Sequence, residues 1–177
     1  PPDVAYSAPE PLPLVQTSRD SGRWYVIIDT KTHGERLFFL DSGYARTTCD
    51  DDFVDELGLD TAGLVFVRGI GGTLIASKAK LPTLHAGGHE ISDFACIVRD
   101  LNQTSSIKDP LEVAVAGVIG ADLLSRFVTE IDTARGDVRL IEPSRTQPLT
   151  GTDVIPLRRA GRAGTRFLVA ASIAGTS

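Results

Sequence analysis

The sequence predicts a mostly-β domain, an all-β fold of the barrel or sandwich kind, and three observations favour it. The apolar runs are short, turn-forming residues separate them at close spacing, and only two segments show helical spacing instead. With 177 residues the chain has about the length of one domain, which is enough to bury a sizeable core.

The first part of the chain contains a predicted hairpin and a predicted helix. Strands are expected over residues 24–28 and 37–40, because both runs are apolar and turn-forming residues lie between them. A helix is expected over residues 50–58, where an aspartate can cap the start and Gly58 can end it. The acidic side chains of this segment, including Asp50, are expected on its solvated face and capped end.

The remaining elements follow from the same signals. Apolar strands should flank the glycine-rich tip at 68–73 and the turn at 86–88, and residues 102–110 should form a polar loop. In chain order we expect strands at 64–67, 74–81, 83–85, 91–98 and 113–119, a helix at 122–127, and strands at 128–132 and 138–141.

Composition excludes some partners and leaves the compartment open. The formal net charge of −5 disfavours nucleic-acid binding, and no apolar run is long enough to span a bilayer. The chain begins at Pro1 and contains no methionine, so we expect a processed or trimmed piece, and its localisation is unknown.

Cysteines and histidines give no metal or cofactor signal. Cys49 and Cys96 are interpreted as two separate buried thiols, although a single bridge between them stays open. His85 and His89 bracket a turn and are expected to be solvated, and no third ligand accompanies them. No metal and no cofactor are therefore predicted.

One segment delivers an acid directly from an apolar strand into a turn. Four large apolar residues, 37–40, precede Asp41-Ser42-Gly43. A carboxylate at the end of a buried strand is costly unless it is hydrogen-bonded, and a tight turn can supply amides and a hydroxyl for this. The triplet alone is common turn chemistry.

A second segment is an apolar strand that ends in a glycine where a helix begins. It contains Val118-Ile119-Gly120, and such a glycine allows close backbone approach at a strand–helix junction. Between the two segments lies the tip that contains Gly69, Ile70, Gly71 and Gly72. These glycines allow a hairpin tip to bend.

Together and in this order, these features resemble the retropepsin-like aspartic peptidases over roughly residues 22–142. The resemblance implies a closed barrel-like lobe with one or two short helices and a β-hairpin flap. It implies Asp41 as the catalytic carboxylate, Ser42 and Gly43 as its supporting turn, residues 69–72 as the substrate-binding flap, and residues 118–120 as the structural glycine motif. Tyr44 departs from the family, which usually has a small residue there.

The resemblance also implies a second aspartate, since family members cleave polypeptides with two carboxyls that share a proton. Asp41-Ser42-Gly43 is taken as the only Asp-Thr-Gly or Asp-Ser-Gly triplet in the chain, so the second aspartate has to come from an identical subunit or from a further lobe. The alternative function is a catalytically inactive dimerisation or peptide-binding module.

The C-terminal segment bears on this choice. Residues 155–157, 166–169 and 173–175 echo residues 12–14, 23–26 and the turn at Gly34, and the chain stops shortly afterwards. We therefore expect an irregular lead-in at 1–20, a lobe at 21–145, and a segment at 146–177. That segment is a linker and either the start of a second lobe or a dimer-edge strand.

Overall fold

The computed structural model describes residues 2–16, 23–31, 33–69, 72–101, 114–146, 151, 153–160 and 166–169. These residues form fifteen short strands, two short α-helices and a 3-10 turn at Pro143–Arg145. In chain order the elements are β1 (Asp3–Ala5), β2 (Leu12–Val15), β3 (Tyr25–Asp29), β4 (Glu35–Leu40), β5 (Thr48–Asp50), α1 (Asp51–Glu56), β6 (Thr61–Gly69), β7 (Gly72–Leu81), β8 (Leu84–Ala86), β9 (His89–Ser92), β10 (Phe94–Arg99), β11 (Gly117–Ile119), α2 (Ala121–Leu124), β12 (Val128–Asp132), β13 (Asp137–Ile141), β14 (Arg158–Ala160) and β15 (Arg166–Leu168).

Thirteen strands belong to one sheet, and β14 and β15 form a separate pair. The main path of the sheet runs β1-β9-β8-β3-β4-β11-β5-β10-β7-β6, while β2, β13 and β12 branch from β3. The predicted mostly-β class and the first predicted hairpin are confirmed, since β3 pairs with β4 from Tyr25 opposite Phe39 to Asp29 opposite Glu35.

The sheet does not close into a barrel, so that part of the fold prediction is not confirmed. Its path begins at β1 and ends at β6, and within the described residues these two strands pair on one side only. On β6, the last strand of this path, Leu64 and Phe66 are 76% and 77% exposed.

Residues 2–16, the described part of the expected lead-in at 1–20, are less irregular than expected. β1 pairs with β9, and β2 pairs with both β3 and β13. The prolines misled the prediction, because Pro13 lies within β2 while its neighbour Leu12 is buried in the core. The N-terminal segment is thus part of the sheet.

Alternate residues of β4 face two apolar clusters. Phe38 is fully buried in the main core, where it meets Phe53 of α1 edge to face. Leu37 and Phe39 point to the other side and pack against a smaller cluster around Tyr25 and Val118. β4 is therefore covered on both faces along its apolar part, residues 37–40, as an unbroken apolar run requires.

Cys49 and Cys96 form a disulfide, which corrects the interpretation as separate thiols. β5 and β10 are parallel neighbours, and Val98 lies opposite Cys49. This pairing brings the two Cα atoms to 5.7 Å, within the range that a disulfide bridges.

His89 is fully buried, so the expectation that it is solvated is wrong. Its Nδ1 accepts a hydrogen bond from the amide of Ser7 at 3.0 Å. Its Nε2 lies 2.6 Å from the carbonyl oxygen of Leu140, to which it donates, because Nδ1 is the acceptor. The ring also packs against Tyr6 and Phe127, so it links the N-terminal segment to β13.

Three further comparisons with the sequence concern a membrane-spanning helix, one strand and one loop. No helix within the described ranges is long and apolar enough to cross a membrane. The predicted strand 91–98 is two strands, β9 and β10, interrupted at Asp93, whose φ is 47°. The predicted loop 102–110 lies outside the described residues.

Candidate active site

Asp41 is the first residue after β4, and β11 holds it in place. β4 and β11 run parallel, with Ile119 opposite Leu40. The amide of Asp41 then donates to the carbonyl oxygen of Ile119 at 3.1 Å, which extends the ladder by one residue. Two segments that the sequence singled out, 78 positions apart at 41 and 119, therefore meet at one point of the sheet.

The carboxylate of Asp41 is held by its own turn. The amide of Gly43 donates to Oδ1 of Asp41 at 2.7 Å, and the side chain is partly exposed. Ser42 is exposed, and within the described residues its hydroxyl makes no hydrogen bond to this carboxylate. Of the predicted support for the carboxylate, the backbone hydrogen bond is therefore present, and it fixes the position of Oδ1 of Asp41.

The turn is closed and attached to the start of α2. The amide of Tyr44 donates to the carbonyl oxygen of Asp41 at 3.1 Å, and the amide of Ala121 donates to the carbonyl oxygen of Tyr44 at 2.7 Å. The Tyr44 side chain packs against the smaller cluster, which includes Val115 and Val118. The larger residue at this position is thus accommodated by apolar packing.

Thr47 and Asp122 form a second attachment, which the sequence analysis missed. Oδ1 of Asp122 accepts hydrogen bonds from the amide of Thr47 at 2.8 Å and from its hydroxyl at 2.9 Å. The same hydroxyl accepts a hydrogen bond from the amide of Gly120 at 3.1 Å. Thr47 is fully buried, so these bonds satisfy groups that water cannot reach.

The predicted glycine motif is tightly enclosed. A Cβ on Gly120 would lie 2.6 Å from the carbonyl carbon of Arg46, and one on Gly117 would lie 2.3 Å from the carbonyl oxygen of Thr48. Real Cβ atoms do not approach backbone atoms so closely, so only glycine fits at both positions. The need for glycine here is steric, because the φ of Gly120 is −97° and therefore suits any residue.

β6 and β7 form the hairpin in which the sequence places a flap. Gly69 lies opposite Gly72, at the last described pair before the tip, while Ile70 and Gly71 lie outside the described residues. Phe66 and Ile75 oppose one another on an exposed face of this hairpin. The hairpin exists as predicted, and its role as a flap stays a prediction.

A second Asp-Ser-Gly triplet does occur in the chain, at residues 20–22, which corrects the assumption that there is only one. It follows the polar residues 16–19 and not an apolar strand, and it lies in the connection between β2 and β3. Residues 20–22 are outside the described part of the chain. In the sequence, only the triplet at Asp41 directly follows an apolar run.

The acidic segment before α1 is not uniformly solvated, contrary to expectation. Asp50 belongs to β5 and is 1% exposed, and its Oδ2 accepts a hydrogen bond from the amide of Leu101 at 2.8 Å. Oxygen atoms of Asp50, Asp51 and Asp52 lie within 4.8 Å of one another, the only such grouping of three possible ligands in the described ranges. Two of the three are exposed, and no observation indicates an ion there.

A family model described as aspartyl protease matches residues 26–123, more than half of the chain and including the whole of this site. The chain belongs to the aspartyl protease family. The matched region contains β4, the Asp41 turn, the β6–β7 hairpin, β11 and the start of α2, and it ends before β12 and β13, which the resemblance over residues 22–142 also included. The predicted family is confirmed.

Solved structures include similar chains at low identity. A retropepsin-like aspartic protease from Rickettsia conorii is 16% identical, with 79% of this chain and 92% of that chain covered and a TM-score of 0.47. EIAV protease in complex with the inhibitor HBY-793 is 18% identical, with 62% of this chain and 92% of that chain covered and a TM-score of 0.43. No curated protein matches.

Proposed function

We propose that this chain supplies one lobe of an aspartic endopeptidase, with Asp41 as its catalytic carboxylate. The observation that carries the proposal is the position of Asp41 at the end of β4, bonded through its amide to β11 and through its carboxylate to Gly43. Membership of the aspartyl protease family supports the same assignment.

The mechanism needs two carboxyl groups that face one water molecule. Because two close carboxylates repel each other, they share one proton at the pH of activity. The ionised carboxyl takes a proton from the water, whose oxygen attacks the peptide carbonyl carbon. The protonated carboxyl hydrogen-bonds to the carbonyl oxygen. The tetrahedral intermediate then collapses, the C–N bond breaks, and a carboxyl proton passes to the leaving amine. The proposal invokes no cofactor and no metal ion.

The second carboxyl group comes from a second lobe. An identical subunit supplies it if two copies of Asp41 face each other across a two-fold axis. A C-terminal repeat of the same polypeptide supplies it if the lobe is duplicated within one chain. The chemistry is the same in both arrangements.

The substrate proposed is an extended polypeptide. An exposed β-hairpin such as β6–β7 can accept such a chain as an added strand, through its backbone amides and carbonyls. The glycines at 69, 71 and 72 suit a tip that bends over a bound chain. The β6–β7 hairpin is proposed to act in this way.

A non-catalytic peptide-binding or dimerisation module is the second candidate. Tyr44, which is larger than the usual family residue, and the exposed Ser42 hydroxyl favour it. The two candidates differ in chemistry, because only a shared-proton pair of carboxyls is inhibited by pepstatin-type compounds at acidic pH.

The deciding measurement is cleavage of a peptide library between pH 3 and pH 8, followed by mass spectrometry. Asp41→Asn should lower the rate by at least about 10³-fold, because the carboxyl that handles the proton is removed. Asp20→Asn is the matched control, since it alters the same three-letter triplet without the apolar run that precedes Asp41, and it should cleave like the wild type. Equal cleavage by both variants would refute the assignment of Asp41.

A further inference from the structure

The last described strands, β14 and β15, repeat the hairpin that β2 and β3 form (the first hairpin) at a constant distance along the sequence. Ile155-Pro156-Leu157 corresponds to Leu12-Pro13-Leu14, and the segment 166–169 corresponds to 23–26. Both correspondences have the same offset of 143 residues (155 after 12, and 166 after 23). No insertion or deletion separates the two matched blocks.

The strand pairing follows the same offset. In the first hairpin Val15 lies opposite Tyr25, and in the second Arg158 lies opposite Leu168. Adding 143 to each member of the first pair gives the second pair. Since a change of one residue in either strand or in the connection would shift this register, the agreement adds an independent match to the sequence echo.

Apolar side chains that are buried in the first hairpin have exposed counterparts in the second, as expected if the second hairpin lacks the strands that cover the first. Leu12, Tyr25 and Val26 are 7%, 0% and 1% exposed in the first hairpin. Their counterparts 143 residues later, Ile155, Leu168 and Val169, are 67%, 49% and 52% exposed. Apolar side chains thus occur at the positions that a core covers in the first copy.

The first hairpin also has partners that the second does not have among the described residues. β2 pairs with β13 as well as with β3, and β3 pairs with β4 and β8. β14 and β15 pair only with each other. A two-stranded hairpin is marginal by itself in water, so a hairpin of this composition requires further strands.

We infer that residues 153–169 open a second lobe of the same fold in the same polypeptide, and that this lobe is the catalytic partner of Asp41. The inference rests on the proposed function for its catalytic part only. In the first copy β3 leads into β4 and then Asp41. In the second, an apolar strand should therefore follow β15 and deliver an aspartate at about position 182–184, because the offset of 143 from Asp41 gives 184 and the echo of Gly34 at Gly175, which is 141 later, gives 182.

The first test is the coding sequence that continues after residue 177. An apolar run followed by Asp-Thr-Gly or Asp-Ser-Gly near position 184 supports the second lobe. A stop codon, or a continuation without that triplet within about ten residues of position 184, overturns it.

The second test measures the fold of the full-length polypeptide and does not depend on activity. Leu168→Asp places a charge where the counterpart Tyr25 is buried, so it should lower the midpoint of thermal unfolding by several degrees. Val154→Asp is the matched control, because its counterpart, Pro11, is exposed. Equal midpoints for the two variants would mean that the segment stays exposed, and the inference would fail.

Activity then separates the inference from the proposed function. If the full-length protein is a monomer and cleaves peptides, substituting Asp41 or the aspartate near position 184 by asparagine should each abolish cleavage. If the full-length protein is a folded two-lobe monomer that never cleaves, the second lobe is supported and the endopeptidase function is contradicted. Cleavage by a homodimer whose polypeptide has no second triplet would retain the endopeptidase and reject the second lobe.

Discussion

The carboxylate of Asp122 binds Thr47 twice, through the backbone amide and the side-chain hydroxyl of the same residue. Thr47 is six positions after Asp41, and Asp122 is in the first turn of α2. The contact therefore fixes the far end of the segment that begins with the Asp41 turn. Together with the bond from Asp41 to Ile119, it attaches this segment to the β11–α2 junction at both ends.

Removing the Thr47 hydroxyl should destabilise the lobe. Thr47→Val keeps the shape of the side chain but leaves the buried amide of Gly120 without its acceptor, so we expect a loss of about 1–3 kcal/mol in the free energy of unfolding. Thr47→Ser retains the hydroxyl and should lose less. Urea unfolding of the three proteins gives the comparison, and a serine variant as unstable as the valine variant would contradict the hydrogen-bond explanation.

Adding one carbon atom at Gly120 should be more costly than adding one at Gly58. In Gly120→Ala the new Cβ meets the backbone of Arg46 and Thr47, and overpacking of this kind costs about 1–3 kcal/mol or more. Gly58→Ala meets no atom within 4 Å and is disfavoured only by its φ of 63°, at about 1 kcal/mol. Chemical denaturation of both variants measures the difference, and the reverse order would mean that the junction relaxes freely.

Reducing the disulfide should lower stability without changing the fold class. The two cysteines are 47 positions apart, and the chain-entropy estimate for a loop of that length is about 4 kcal/mol as an upper value. Unfolding midpoints with and without a thiol reductant give the effect, and Cys49→Ala/Cys96→Ala serves as the control. A reductant effect in this double variant would show that reduction acts elsewhere.

Removing the ring of His89, which is buried, should lower the free energy of unfolding far more than removing that of His85. His89→Ala removes the acceptor for Ser7 and the donor to Leu140 and leaves a cavity, so a loss of about 2–4 kcal/mol is expected. His85→Ala changes a partly exposed ring and should stay within about 0.5 kcal/mol of the wild type. Equal losses for the two variants would contradict the assigned burial of His89.

The sequence predicted what short-range chemistry determines. Asp41 and its turn could be predicted because the apolar strand, the acid and the glycine follow one another directly in the sequence. The same holds for the apolar strand and the glycine before α2. The reason why Gly120 must be a glycine could not be read from the sequence, because the residue that leaves no room for a side chain there is Arg46, which is far away along the chain.

The features that were missed depend on partners that are distant along the chain. Thr47 and Asp122 are 75 positions apart, and His89 bonds to residues 82 and 51 positions away. Asp50 was interpreted as part of a helix surface because the following letters are helical, yet its carboxylate binds the amide of Leu101. Local propensity gives no information on such partners, because the sheet order decides which strands become neighbours.

The disulfide determines what happens to the molecule when a peptidase cuts its backbone between the two cysteines. The segment between Cys49 and Cys96 contains α1 and the whole β6–β7 hairpin. The exposed apolar face of this hairpin makes it a candidate site for proteolytic cleavage. One cut anywhere between the two cysteines leaves both fragments covalently joined and the strands β5 and β10 still paired. A nicked molecule would therefore keep its mass on a non-reducing gel and separate into two bands only when thiol is added.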